Sequence, residues 1–125
     1  MITVVAAVIE ENDRFFLTQR QPGAHLAWMW EFPGGKIDPE ESHAAALRRE
    51  IREELGADVT VGEVVFTTTY AYPDRTLALY FYRCGLIGRP RPLLGQDMRW
   101  VPRAELAALG LPPADAELVE LLTKR

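Results

Sequence analysis

A helix-forming stretch that gathers three glutamates on one face constrains this chain more than any other feature. Ala44, Leu47, Ile51 and Leu55 recur at spacings of three and four and end at Gly56, which predicts one apolar stripe against a core and a glycine stop. Ser42 is a plausible N-cap, with Asp38-Pro39 and Glu41 offering an alternative start about one turn earlier. Glu50, Glu53 and Glu54 then lie at i, i+3 and i+4, so Glu50 and Glu54 are like charges one turn apart. They also fall in the C-terminal half of the helix, where the macrodipole favours cations. A hard divalent ion between them would resolve both conflicts, because magnesium prefers carboxylate, water and phosphate oxygens. A solvated acidic face balanced by Arg49 to Glu53 at i+4 is the plainer alternative.

The flanks place this helix among strands. Ile2 to Ile9 is almost continuously apolar, Glu10-Glu11-Asn12-Asp13 is a turn, and Phe15 to Thr18 is apolar again, a pattern that predicts a hairpin. From Gln21 to Asp38 the chain has two prolines, three glycines and no sustained period, which reads as one long ordered loop of the kind that usually carries function. A second hairpin is expected from Val59 to Tyr70 and Thr76 to Tyr82 around Tyr72-Pro73-Asp74-Arg75. Met98 to Val101 suits a short strand, Pro102 to Leu106 a short helix, and Ala114 to Leu122 a closing helix. This order predicts an α+β fold, a mixed β-sheet sandwiched between helices (α/β/α), as one domain over residues 1–125.

Composition removes several classes of function. Fourteen Lys and Arg against eighteen Asp and Glu leave a formal charge of −4, so no basic field draws in a nucleic-acid polymer. No apolar run approaches the roughly 20 residues that span a bilayer. The lone cysteine, Cys84, cannot form an internal disulfide, and no basic-then-apolar start reads as a signal peptide, so a cytoplasmic location is expected. Nothing in the sequence settles assembly, and a monomer is the expected state.

Just before the acidic helix, Gly34-Gly35-Lys36 could let backbone approach phosphate oxygens while Lys36 adds a point charge, although two glycines alone also suit a tight turn. Gly35, five residues, Glu41, seven residues, then Arg49-Glu50-Ile51-Arg52-Glu53-Glu54-Leu55-Gly56 resembles the Nudix box, the loop-helix signature of Nudix hydrolases. The closing position, usually a larger aliphatic, is Ala57, a change that removes no ligand. Ala24-His25, Glu31-Phe32-Pro33-Gly34-Gly35-Lys36, Tyr72-Pro73-Asp74-Arg75, Gly95-Gln96 and Pro112-Pro113-Ala114 extend the resemblance to the MutT-like branch, over most of the chain.

The resemblance implies roles residue by residue. Glu50, Glu53 and Glu54, with the carbonyl of Gly35, would hold Mg2+, for which Mn2+ could substitute; Arg49 would orient these glutamates and Glu41 would brace the loop. Lys36 would touch the phosphates, and Arg20, Phe32, Arg75 and Asp115 would line the nucleoside pocket. Read without the family, Arg20 and Arg75 could be strand-edge charges, Phe32 core, and Asp115 the N-cap of the last helix. Where relatives often carry an acid before the Gly-Gln pair this chain has Leu94, and Asp97 could replace it. Glu53 or Asp97 would accept the proton from water.

The expected reaction is hydrolysis of a nucleoside triphosphate to the monophosphate and pyrophosphate. An oxidised purine such as 8-oxo-dGTP is the first expected substrate, and CTP or a modified dCTP the second. MutT has asparagine where this chain has Asp115, and a branch acting on cytidine triphosphates resembles this chain there. A catalytically silent nucleotide-binding module is the rival of another class, and Arg49-Glu50 with Glu53-Glu54 speaks against it. The short chain and the lack of a basic groove disfavour sugar nucleotides and capped RNA.

Overall fold

The apolar run at the start of the chain becomes β1 (Ile2–Glu11), and its lack of alternation has a structural cause: both of its faces are buried. Ala6 and Val8 enter one core with Phe15, Leu17 and Phe81. Val5, Ala7 and Ile9 enter a second with Phe16, Leu47, Ile51 and Leu55. The structure is a computed structural model and describes residues 1–124.

Helices cover the two cores from opposite sides. α1 (His43–Leu55) buries Ala46, Leu47, Ile51 and Leu55, the stripe read from the sequence, against the second core. α2 (Ala116–Thr123) buries Leu118, Val119 and Leu122 against the first. This is the α/β/α arrangement expected from the order of elements. Each such Leu or Ile contributes about 1.5–3 kcal/mol by burial, so Ile51→Ala should destabilise by about 2–5 kcal/mol.

Strand pairing departs from a simple pair of hairpins. β2 (Arg14–Gln19) meets β1 only at Glu10 with Phe15 and Glu11 with Arg14. The rest of β1 runs parallel to β6 (Arg75–Ile87), from Ile2 opposite Leu77 to Ile9 opposite Cys84. β6 in turn pairs antiparallel with β5 (Asp58–Tyr72). The segment read as one loop from Gln21 to Asp38 contains two strands, β3 (Trp30–Glu31) and β4 (Gly34–Lys36). β4 takes the remaining edge of β1 at Val4 to Ala6, so the Gly-Gly-Lys segment is a strand pinned to the core. Gly34 has to lack a Cβ because that atom would collide with the carbonyl of Val5. β7 (Met98–Pro102) pairs with β2, and the short helix expected after it is a 3-10 turn over Arg103–Ala108. A second 3-10 turn, Pro113–Asp115, leads into α2. No helix of the described residues is long and apolar enough to cross a membrane.

Candidate active site

α1 is fixed at both ends. Ser42 accepts a hydrogen bond from the N–H of Ala45 at 3.1 Å, which settles the N-cap in favour of Ser42. Gly56 takes the left-handed conformation at φ 60° and donates to the Arg52 carbonyl. The chain before β7 satisfies the final carbonyls: Arg91 N–H donates to Leu55 O at 2.7 Å and Leu93 N–H to Glu54 O at 3.1 Å. The buried Gln96 amide donates to the same Glu54 carbonyl at 3.0 Å, and its oxygen accepts from Leu94 N–H. These contacts set where Glu54 stands.

Arg49 is the hub of the acidic face. Its guanidinium donates to both oxygens of Glu41 at 2.8 and 2.9 Å, to Glu50 at 2.8 Å and to Glu53 at 3.3 Å. It also donates to the Lys36 carbonyl at 3.0 Å, which ties β4 to α1. Hydrogen bonds from Arg49 hold the Glu41 carboxyl down at about 2, helped by the Asp38 N–H. Glu41 and Glu50 in turn hold Arg49 firmly protonated.

Glu54 shows the opposite perturbation. Burial, a hydrogen bond with Glu50, and the charges of Glu31, Glu50 and Glu53 push its carboxyl up to about 9. The proton that Glu54 retains relieves this crowding when no cation does. The groups that act on Glu54 are all carboxylates, the ligand type a hard divalent ion prefers, and such an ion would take the proton's place. Gly35 has to lack a side chain here, since a Cβ would collide with the Glu50 carboxylate. Glu50, Glu53 and Glu54 therefore fit a metal by charge and donor type. Among the described residues no three Asp, Glu, His or Cys side chains are arranged to hold one ion as they stand.

Beside this cluster opens a cleft of about 230 Å3, lined by Gly34, Gly35 and Lys36 near the acidic helix and by Arg20, Glu31, Phe32, Arg75 and Asp115 further along. The structure thus brings Arg20, Phe32, Lys36, Arg75 and Asp115 to one cavity. Arg20 is not a loose edge charge: it donates to Glu31 at 2.7 Å and to the His25 carbonyl at 2.5 Å. Phe32 is both core and wall, buried edge-on against Phe81 at 5.9 Å. Arg75 pairs with Asp74 at 3.1 Å. Asp115 stands at the start of α2 without making a side-chain cap, and it is 4% exposed. Burial, with Glu31 opposing and Arg20 favouring the charge, pushes its carboxyl up to about 7.

Asp97 stands apart. It is exposed, its charge is not among those acting on Glu54, and its backbone carbonyl accepts from Gln19 N–H. The acid that reaches Glu54 from outside the helix is Glu31 of β3, which sequence reasoning assigned no role; burial raises its pKa and Arg20 opposes the rise. No local spacing signals Glu31 or Gln96, because their partners are distant in the chain.

The comparisons with known proteins agree with this geometry. The NUDIX domain model matches residues 4–121. The chain is 39% identical over 121 residues to the CTP pyrophosphohydrolase of Escherichia coli (strain K12), covering 96% of this chain and 90% of that protein. It is 37% identical over 124 residues to the 8-oxo-dGTP diphosphatase of Haemophilus influenzae, covering 98% and 91%. The solution structure of the E. coli ORF135 protein superposes with a TM-score of 0.84 at 39% identity, covering 96% of this chain and 86% of that one. With the loop, the acidic helix and the fold all matched over nearly the whole chain, this protein belongs to the NUDIX domain family and is a Nudix hydrolase.

Proposed function

We propose that this protein hydrolyses a nucleoside triphosphate to the monophosphate and pyrophosphate, with Mg2+ as the divalent ion. The observation that carries this reading is the crowding of Glu50, Glu53 and Glu31 around Glu54 at the side of a cleft that also holds Lys36 and Asp115. Carboxylates crowded this way suit a metal-bound polyphosphate, and the partly apolar cleft beyond them suits a base.

Glu50, Glu53 and Glu54, with the Gly35 carbonyl, would hold the ion, which when bound neutralises phosphate charge and lowers the pKa of water. Lys36 places a positive charge on the phosphate oxygens. Arg49 keeps Glu41, Glu50 and Glu53 in one arrangement, so the acidic face is set before substrate arrives. Glu53, 58% exposed in its side chain and braced by Arg49, accepts the proton of the attacking water at its carboxylate. Arg20, Phe32, Arg75 and Asp115 enclose the nucleoside.

The preferred base is an oxidised purine such as 8-oxo-dGTP. CTP is the second reading, favoured by the name of the Escherichia coli relative at 39% identity. With its carboxyl near 7, Asp115 can accept from an amino group in one form and donate to a carbonyl in the other.

Replacing Glu53 tests the catalytic reading against a silent binding module. Glu53→Gln should lower turnover of the best nucleotide at least about a hundredfold at saturating Mg2+ while leaving nucleotide binding within a few-fold. Equal turnover in the variant would remove Glu53 from the chemistry.

A further inference from the structure

The Gly95-Gln96 pair takes no part in the chemistry above, yet Gln96 is only 5% exposed. A primary amide is seldom buried unless its polar groups are bonded, and here both are. Nε2 donates to the Glu54 carbonyl at 3.0 Å, and Oε1 accepts from Leu94 N–H at 2.9 Å. One side chain thereby joins the last turn of α1 to the chain before β7.

That chain is fastened at both ends. Arg91 N–H donates to Leu55 O at 2.7 Å and Leu93 N–H to Glu54 O at 3.1 Å, while Asp97 O accepts from Gln19 N–H of β2 at 3.0 Å. Between these anchors Gly95 N–H donates to Pro92 O at 2.9 Å and Gly95 takes a left-handed φ of 74°, a conformation that glycine adopts without strain. The turn brings the Gln96 amide back onto Leu94 and Glu54. The Glu54 carbonyl consequently accepts two hydrogen bonds, one from Leu93 N–H and one from Gln96.

Glu54 is the penultimate residue of α1, in the turn whose carbonyls have no partner within the helix and which frays first. A carboxylate on a fraying turn drifts from Glu50, and an incoming ion has to spend part of its binding free energy gathering the two. A methionine would fill the space of Gln96; what it lacks is the pair of bonds. We propose that Gln96 is a positioning residue for the divalent ion: by clamping Glu54 to the chain before β7, it holds the Glu54 carboxylate in place before the ion arrives and so sets the Mg2+ affinity. This rests on the metal reading above.

The test compares Gln96→Met, which keeps the length of the side chain and loses both bonds, with Gln96→Glu, which keeps an acceptor for Leu94 N–H and loses the donor to Glu54. Ser42→Ala is the control, because it weakens α1 from its other end. Calorimetry and the rise in Tm across a Mg2+ series follow binding of Mg2+ alone, with no nucleotide present. Each Gln96 variant should bind Mg2+ about tenfold to a hundredfold more weakly, the usual cost of losing a group that orients a metal ligand. The Mg2+ concentration for half-maximal rate should rise by the same factor. At saturating Mg2+, kcat and KM should return to within a few-fold of wild type, because the bound ion then holds the turn. Ser42→Ala should lower the Tm and leave Mg2+ affinity unchanged. Wild-type Mg2+ affinity in either Gln96 variant would overturn the proposal, as would an equal loss in Ser42→Ala, which would reduce the effect to helix stability. A wild type that binds no Mg2+, with or without a nucleotide, would overturn the metal reading and this proposal with it.

Discussion

Arg49 grips Glu41 through two hydrogen bonds, Nε to Oε2 at 2.8 Å and Nη2 to Oε1 at 2.9 Å. The planar guanidinium thereby fixes the loop after β4 to the helix that carries the acids. Glu41→Gln breaks one of the two charge-assisted bonds and should lower kcat about tenfold to a hundredfold through misplacement of Glu50 and Glu53. Its carboxyl is held at about 2 in the fold, against about 4.3 in an unfolded chain. The stabilisation from this pair is therefore complete above about pH 5 and disappears as pH falls toward 2. Thermal melts of wild type and Glu41→Gln should differ at pH 7 and converge as pH falls to about 2.

Glu54 acts in the other direction. With its carboxyl raised to about 9, the metal-free fold keeps a proton that the unfolded chain releases near pH 4.3, so stability falls as pH rises between those values. Glu54→Gln should flatten this decline and stabilise the metal-free protein at pH 8. Added Mg2+ should raise the Tm of the wild type and leave that of Glu54→Gln nearly unchanged. Turnover should fall at least about a hundredfold.

The legible parts of this protein are the local ones. α1 announced itself because its apolar period, its Ser42 cap and its Gly56 stop all lie within one short segment, and the acids ride on that same period. β3 and β4 were hidden in the apparent loop because strands of two and three residues have no room for a pattern; their partners on β2 and β1 create them. The parallel β1–β6 pairing was likewise invisible, since it joins segments far apart in the chain. Arg20, Phe32, Arg75 and Asp115 rest on resemblance and Lys36 also on its place after two glycines, and their meeting at one cavity is a property of the fold. Gln96 lies 42 residues from the Glu54 carbonyl it binds, and no spacing rule reaches that far.

Leu94 offers a direct probe of the metal site. It is 53% exposed and lies beside Leu93, whose N–H is bonded to the Glu54 carbonyl. Leu94→Glu should lower the Mg2+ concentration for half-maximal rate, and Asp97→Ala should leave it unchanged, since Asp97 stands apart from the acids. Identical metal titrations in wild type and both variants would place this loop outside metal binding.

Asp115, proposed above to read the base, carries a stability signature. Its carboxyl is raised to about 7 from about 3.9 unfolded, so its burial weakens the fold progressively as pH climbs between those values. Asp115→Asn should gain stability at pH 8 relative to pH 5, by about 2–4 kcal/mol. The amide keeps a donor permanently, so kcat/KM for CTP should fall about tenfold to a hundredfold while that for 8-oxo-dGTP is spared or improved. Parallel losses on both substrates would remove Asp115 from base reading.

Product analysis across a panel of nucleoside triphosphates, with and without Mg2+, tests the central claim most directly. The site described here should release pyrophosphate and the monophosphate, only with the divalent ion present, and fastest from 8-oxo-dGTP or CTP. Release of orthophosphate in place of pyrophosphate, or no cleavage of any nucleotide with Mg2+ present, would contradict it.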